Sequence, residues 1–227
     1  MIRCVLFDLD GTLVDSWALY VEAYVRTLEP YLGRRLTLDE LLAMRPASEI
    51  RFLRQHLDPA DQPRAHEAFL HHSRDLHATY FEGVYPGVSA MLAGLRERGL
   101  RLGIVTGKSR RAWEITSREV DLGPFDVVIT DEDVREAKPS PEGLRRALQA
   151  LSAGPDEAIY VGDSLQDAGA AQQADMRFAA ALWPKAGREV GAFRSRVHEV
   201  GVWAELQRPE DLLAVLDGAR DSHQCLL

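Results

Sequence analysis

"VLFDLDGTLVDS", residues Val5 to Ser16, decides the fold. It opens as an apolar run and ends in carboxylates. Asp8 and Asp10 are separated only by Leu9. As strand residues i and i+2 they would project to one face, roughly 7 Å apart. Like charges at the end of a buried strand repel and are costly to desolvate. A chain that places them there needs a cation or a chemical use for them.

Four later stretches resemble this opening: "LRLGIVTG" (100–107), "FDVVIT" (125–130), "AIYVGD" (158–163) and "RFAAALW" (177–183). Near-continuous apolar runs suit strands buried on both faces of a parallel sheet. Helical patterns lie between them. "VSAMLAGLRERG" carries Val88, Met91, Leu92 and Leu95 on one face, with Gly99 as its C-cap. "SPEGLRRALQAL" begins with Ser140 as N-cap and Pro141 at the first helical position. The alternation predicts a doubly wound parallel-sheet α/β core of Rossmann-like type. Ligands of such sheets bind beyond the carboxyl ends of the strands, where the polar residues cluster.

The stretch from Trp17 to Tyr80 breaks the alternation with helical patterns only. It predicts an all-α cap domain, 16–81, inserted into a core of 1–15 and 82–227, with residues 218–227 as a frayed tail. The hinges fall at Leu13–Ser16 and Phe81–Gly87. "VGVWAEL" reads as an edge strand and "RPEDLLAVL" as a closing helix.

Composition narrows the class. The 227 residues are 46% hydrophobic and 27% charged, with a net charge of −8. The basic footprint of a nucleic-acid binder is missing, and no apolar run approaches the ~20 residues needed to span a membrane. Cys4 and Cys225 stand at opposite ends of the chain, which favours a reducing cytoplasm over a disulfide framework. Cys4 reads as a buried hydrophobe of the first strand.

Four loop motifs carry the chemistry: Asp8-Leu9-Asp10-Gly11-Thr12, Thr106-Gly107, Lys138-Pro139, and Gly162-Asp163-Ser164 with Asp167. Alone, Asp163 could be a helix N-cap and Lys138 a solvated lysine. In this order, as "DLDGTLVDS", "VTGKS", "AKPSP" and "GDSLQD", they resemble the haloacid dehalogenase superfamily, in its phosphoglycolate phosphatase-like branch with a helical cap. The resemblance covers essentially the whole chain.

It implies a hydrolase that forms an aspartyl phosphate on Asp8. Asp10 would protonate the leaving oxygen and then deprotonate water. Mg²⁺ would be held by Asp8, the backbone carbonyl of Asp10 and Asp163. Thr106 and the Gly107 amide would hold phosphoryl oxygens, and Lys138 would neutralise charge. Asp167 would stand behind them, orienting Lys138 or a water. Asp15 reads equally as a cap of the first lid helix or as a site residue.

Asp10 argues against a dehalogenase, whose halide leaving group needs no proton. The three lysines, Lys108, Lys138 and Lys185, all lie outside the insertion, which argues against phosphonoacetaldehyde hydrolase chemistry with its lid lysine. The expectation is a Mg²⁺-dependent phosphatase of a small phosphorylated metabolite, monomeric or homodimeric. The alternatives are a sugar phosphomutase, a pyrophosphatase, or a non-catalytic binding protein on the same scaffold. Phosphoglycolate, pyrophosphate, a nucleoside monophosphate and a sugar phosphate all stay open as substrates.

Substrate choice is expected in the lid. Arg45 is the candidate clamp for a carboxylate or second phosphate, because it sits at a helix–helix turn and not within a helix as Arg51 and Arg54 do. Lys108 is a weaker candidate for that task, and Ser48 is expected to cap the helix behind the turn. His56, His66, His71, His72 and His77 read as surface or partly buried residues. Trp17, Tyr20 and Tyr24 read as lid packing, and Trp183-Pro184 as packing at the last strand.

Overall fold

The computed structural model describes residues 1–44, 46, 48–185 and 188–224, and side chains among these except at 188 and 219–224. Arg45 and Cys225 lie outside the described residues.

Strand β1 (Cys4–Phe7) is fully buried and is followed by the two-residue β2 (Val14–Asp15). Helices α1 (Trp17–Leu32), α2 (Leu38–Ala43), α3 (Glu49–His56), α4 (Gln62–Asp75) and α5 (His77–Tyr80) form the insertion. The chain returns through β3 (Gly83–Val84), α6 (Val88–Glu97), β4 (Arg101–Val105), α7 (Arg110–Glu119) and β5 (Val127–Ile129). A 3₁₀ turn (Asp131–Asp133) leads to α8 (Glu142–Ala150) and β6 (Ala158–Gly162). The last elements are α9 (Leu165–Gln173), β7 (Arg177–Ala181), α10 (Arg188–Val200), β8 (Ala204–Leu206) and α11 (Asp211–Gln224).

Six strands form one parallel sheet in the order β5-β4-β1-β6-β7-β8. Consecutive crossovers leave β1 in both directions, so the carboxyl ends of β1, β4 and β6 meet at the switch point where such sheets bind ligands. Separate apolar clusters cover the two faces. Leu6, Tyr160 and Phe178 belong to one, and Val5, Phe7 and Ile159 to the other. The alternation follows from the two-residue period of a strand. Cys4 is buried within the first cluster, as expected. The expected edge strand is β8, and the expected closing helix is α11.

The insertion is a helical cap with its own core, in which Tyr24, Leu28, Leu41, Phe52, Leu53 and Phe69 are buried together. Aromatic contacts supply much of that packing: Tyr24 sits 4.7 Å from Phe52 and 4.8 Å from Phe69 between ring centroids.

Several details differ from the sequence expectations. Val14 and Asp15 pair antiparallel with Val84 and Gly83, so the two expected hinge segments meet in a two-stranded ribbon that the sequence did not suggest. Two-residue strands carry no readable periodicity. Helix α8 begins one residue late, with Pro141 as N-cap, while Ser140 Oγ accepts from the Glu142 N–H at 3.3 Å. Gly99 lies one residue past the C-cap Arg98, left-handed at φ 71°, and its N–H donates to Arg96 O.

Trp17 is 55% exposed, so it does not pack in the lid, whereas Tyr24 does. Trp17 occupies the first turn of α1, ahead of the buried stripe that starts at Leu19. The backbone of 218–224 continues helix α11 through the start of the expected tail, and 225–227 lie outside the described residues. Gly218 weakens a helix by only about 1 kcal/mol, and no proline follows it to break the turn.

Candidate active site

The site forms where the carboxyl ends of β1, β4 and β6 converge. Strand β1 stops at Phe7, so Asp8 and Asp10 lie in the turn beyond it and are not bound to one strand face. The Asp8 N–H still donates to Val161 O at 2.9 Å, which seats it beside β6. Gly11 then turns at φ 77°. A Cβ there would also stand 2.8 Å from Asp163 Oδ2, so glycine is needed both for the turn and for the close approach.

Three lysines meet the four acids, and Lys138 serves two of them. Lys138 Nζ donates to Asp8 Oδ1 at 2.8 Å and to Asp167 Oδ1 at 2.6 Å, and lies 3.1 Å from Tyr160 Oη. Lys108 Nζ pairs with Asp10 Oδ1 at 2.9 Å, and Ser16 Oγ donates to the same oxygen at 2.5 Å. Lys185 Nζ pairs with Asp163 Oδ2 at 2.9 Å. All three lysines of the chain therefore meet an acid of this site.

Asp167 is the most tightly held. It is fully buried at the third position of α9, and its Oδ2 accepts from the N–H and hydroxyl of the N-cap Ser164. Ser164, not Asp163, is thus the helix cap. Burial opposes the charge of Asp167, yet the Lys138 charge and these hydrogen bonds hold its carboxyl below the usual range.

Asp8 behaves oppositely. Burial, together with the charges of Asp167 and Asp163, pushes it up to about 8 against the pull of Lys138. Burial pushes Asp163 up to about 6, opposed by Lys185 and helped by Asp167. Lys138 is partly buried, but the charges of Asp167 and Asp8 keep it well above its ordinary value.

One carboxylate oxygen from each of Asp8, Asp163 and Asp167 lies within 4.8 Å of the others. Such an all-oxygen, acidic set suits a hard divalent cation. The two carboxylates pushed upward, Asp8 and Asp163, are the ones whose charge a cation would relieve. Asp167 is already engaged by Lys138, Ser164 and Tyr160.

Thr106 is 5% exposed, and its Oγ accepts from the Lys108 N–H at 3.2 Å. Beside it, a Cβ on Gly107 would meet only the backbone nitrogen of Ser48, at 3.9 Å, so the cap lies over this loop. Lys108, the weaker substrate candidate, is 3% exposed and donates to Tyr20 Oη at 3.0 Å. Burial between Asp10 and a cap tyrosine turns it inward. The candidate clamp Arg45 has no described position. The N-cap of α1 is Ser16, which makes no side-chain capping bond, while Asp15 Oδ1 accepts from the Trp17 N–H at 3.5 Å. Ser48 caps α3 as expected, accepting from Arg51 N–H. Trp183 packs as expected, and its Nε1–H donates to Thr12 O at 3.0 Å.

Sequence reasoning missed Lys185, Tyr160, Ser16 and Tyr20. One signal was present: 27 residues are Lys or Arg, only three are lysine, and two of those were already placed in site motifs.

The chain matches the family described as haloacid dehalogenase-like hydrolase over residues 5–181. It is 35% identical over 192 residues to pyrophosphatase PpaX of Anoxybacillus flavithermus, covering 83% of this chain and 87% of that one. Among solved structures, CbbY of Rhodobacter sphaeroides in complex with phosphate superposes with a TM-score of 0.76 at 27% identity, over 93% of this chain and 96% of that one. A mutant of CbbY in complex with xylulose-(1,5)-bisphosphate gives 0.76 at 26% identity, with the same coverage. With the ordered motifs, the parallel sheet and the helical cap in place, the chain belongs to the haloacid dehalogenase-like hydrolase family, as a phosphoester hydrolase.

Proposed function

We propose that this hydrolase is a Mg²⁺-dependent phosphatase of a small phosphorylated metabolite, acting through an aspartyl phosphate on Asp8. The observation that carries the reading is Lys138, whose Nζ sits 2.8 Å from Asp8 Oδ1 and 2.6 Å from Asp167 Oδ1. That placement lets one ammonium hold the nucleophile and offset charge on an incoming phosphoryl group.

In the first step an oxygen of Asp8 bonds to phosphorus and the bond to the leaving oxygen breaks. Asp10 gives that oxygen its proton. In the second step Asp10 takes a proton from water, the water oxygen bonds to phosphorus, and the Asp8–phosphorus bond breaks. Lys108 and Ser16, both on Asp10 Oδ1, aim its carboxyl. Thr106 and the Gly107 amide receive phosphoryl oxygens. Asp8, the Asp10 carbonyl and Asp163 would hold Mg²⁺, which supplies charge neutralisation on the phosphoryl oxygens when bound.

The division into a core of 1–15 and 82–227 and a cap of 16–81 belongs to the same reading, as do a cytoplasmic setting and Arg45 as a substrate clamp. Among the described residues, no helix is long and apolar enough to cross a membrane.

Inorganic pyrophosphate is the second substrate reading, favoured by the name of the 35%-identical relative. The test is hydrolysis of p-nitrophenyl phosphate with Mg²⁺ by wild type and Asp8→Asn. The variant should lose roughly 10³-fold or more of kcat. Equal rates would sink the enzyme mechanism. Ranking kcat/KM over pyrophosphate, phosphoglycolate, nucleoside monophosphates and sugar phosphates then selects the substrate.

A further inference from the structure

The first turn of α3 is where the cap enters the core. Glu49, its first residue, is fully buried, and its Oε1 accepts the Ser109 N–H at 2.8 Å. Ser109 is the N-cap of α7, two residues past Gly107. Arg51 stands two residues after Glu49, roughly 200° around the helix, and so reaches the other way.

All three guanidinium nitrogens of Arg51 engage one core segment. Nε donates to Asp131 Oδ1 at 2.6 Å, Nη2 to Val134 O at 3.1 Å and Nη1 to Arg135 O at 2.9 Å. Asp131 is buried, and its own N–H donates to Lys108 O at 2.9 Å. On the far side of the segment, the N–H groups of Arg135 and Glu136 donate to Glu142 Oε2 at 2.9 and 3.2 Å. Three residues past Arg135 the chain delivers Lys138.

We propose that Arg51 is a positioning residue: by clamping 131–135, the closed cap sets the loop that brings Lys138 to Asp8 and Asp167. The inference rests on Lys138 acting as described under Proposed function. It couples cap closure to assembly of the charge-neutralising group, so the open enzyme holds that group loosely. Arginine suits the task because a planar fork of N–H groups serves a carboxylate and two carbonyls together. A lysine ammonium reaches the carboxylate but does not span all three.

The experiment compares Arg51→Ala, Arg51→Lys and, as a control, the exposed neighbour Arg54→Ala. Amide hydrogen exchange reads the loop, steady-state kinetics the chemistry, and thermal melting the fold. In Arg51→Ala the amides of Val134, Arg135 and Glu136 should exchange roughly tenfold faster. Its kcat should fall about 10- to 100-fold, with KM changed less than kcat. Arg51→Lys should recover part of both losses, and Arg54→Ala should match wild type.

Unchanged exchange in Arg51→Ala would overturn the proposal whatever the kinetics. So would faster exchange with unchanged kcat. If Arg51→Ala does not fold, Arg51→Lys carries the same test with smaller expected changes. Asp8→Asn, run alongside, separates the two readings. If wild type is no faster than Asp8→Asn, the phosphatase reading fails, and exchange alone decides whether Arg51 holds the loop.

Discussion

Lys138 and Asp8 are 130 residues apart in the chain and 2.8 Å apart in the fold. The same ammonium holds Asp167, so removing it leaves two buried carboxylates facing each other. Lys138→Met should lower kcat by roughly 10²–10³-fold. It should also destabilise the fold by about 3–5 kcal/mol, because it uncovers buried charge. Urea unfolding checks the second figure. Lys138→Met with Asp167→Asn should recover part of the stability and none of the activity.

Lys185 stands against Asp163 as a competing cation. Lys185→Met should therefore bind Mg²⁺ more tightly, by about 2- to 5-fold, the range of a partly exposed ion pair. Isothermal titration in the absence of substrate measures it. Equal or weaker binding would show that Lys185 supports the cation and does not compete with it.

The raised carboxyls of Asp8, about 8, and Asp163, about 6, set a pH dependence. Their folded values exceed the unfolded value of 3.8. The folded state thus holds protons that the unfolded chain has lost. The sign follows: this contribution to stability is complete below the unfolded value and is lost as pH rises through about 6 and then about 8. Mg²⁺ binding must displace the same protons. In melting experiments from pH 5 to 9, the rise in Tm on adding Mg²⁺ over chelator should grow with pH. A rise that is flat or shrinks with pH would contradict it.

Gly11 and Gly33 share a left-handed backbone, at φ 77° and 69°. An alanine at either costs about 1–2 kcal/mol in strain. Only at Gly11 would the new Cβ meet Asp163, whereas nothing lies within 4 Å at Gly33. Gly11→Ala should match Gly33→Ala in backbone strain yet lose at least about tenfold in kcat, since it pushes Asp163 from its place. Comparable kcat in the two variants would count against Asp163 as part of the machinery.

The sheet was legible because its strands are buried on both faces and read as continuous apolar runs. The helical character of the insertion was legible, since the apolar spacing of Trp17–Leu32 follows a helical period. Asp8, Lys138, Asp163 and Asp167 were found by motif, and the fold brings them together. What stayed hidden was pairing. Lys108 was placed beside the phosphate loop, but nothing in its neighbours says that Asp10 and Tyr20 will close over it. Lys185 sits in a loop with no pattern, and its partner is 22 residues away. The opening puzzle of two acids at one strand end resolves in the turn beyond it. They do not share one lysine, because the turn after Phe7 sends each to its own.

Val14 lies opposite Val84, and Asp15 opposite Gly83, so both ends of the insertion leave the core as one short stem. Outside the ladder, Glu82 N–H donates to Asp15 O and Tyr85 N–H to Leu13 O, each at 3.1 Å. Chain closure is thus settled at the base, before any helix of the insertion is counted. Lengthening what hangs from such a stem adds only about 0.6 kcal/mol of closure entropy per doubling. The insertion is in effect a replaceable cassette, and a cap of another size grafted between Asp15 and Gly83 would leave the sheet beneath it unaltered.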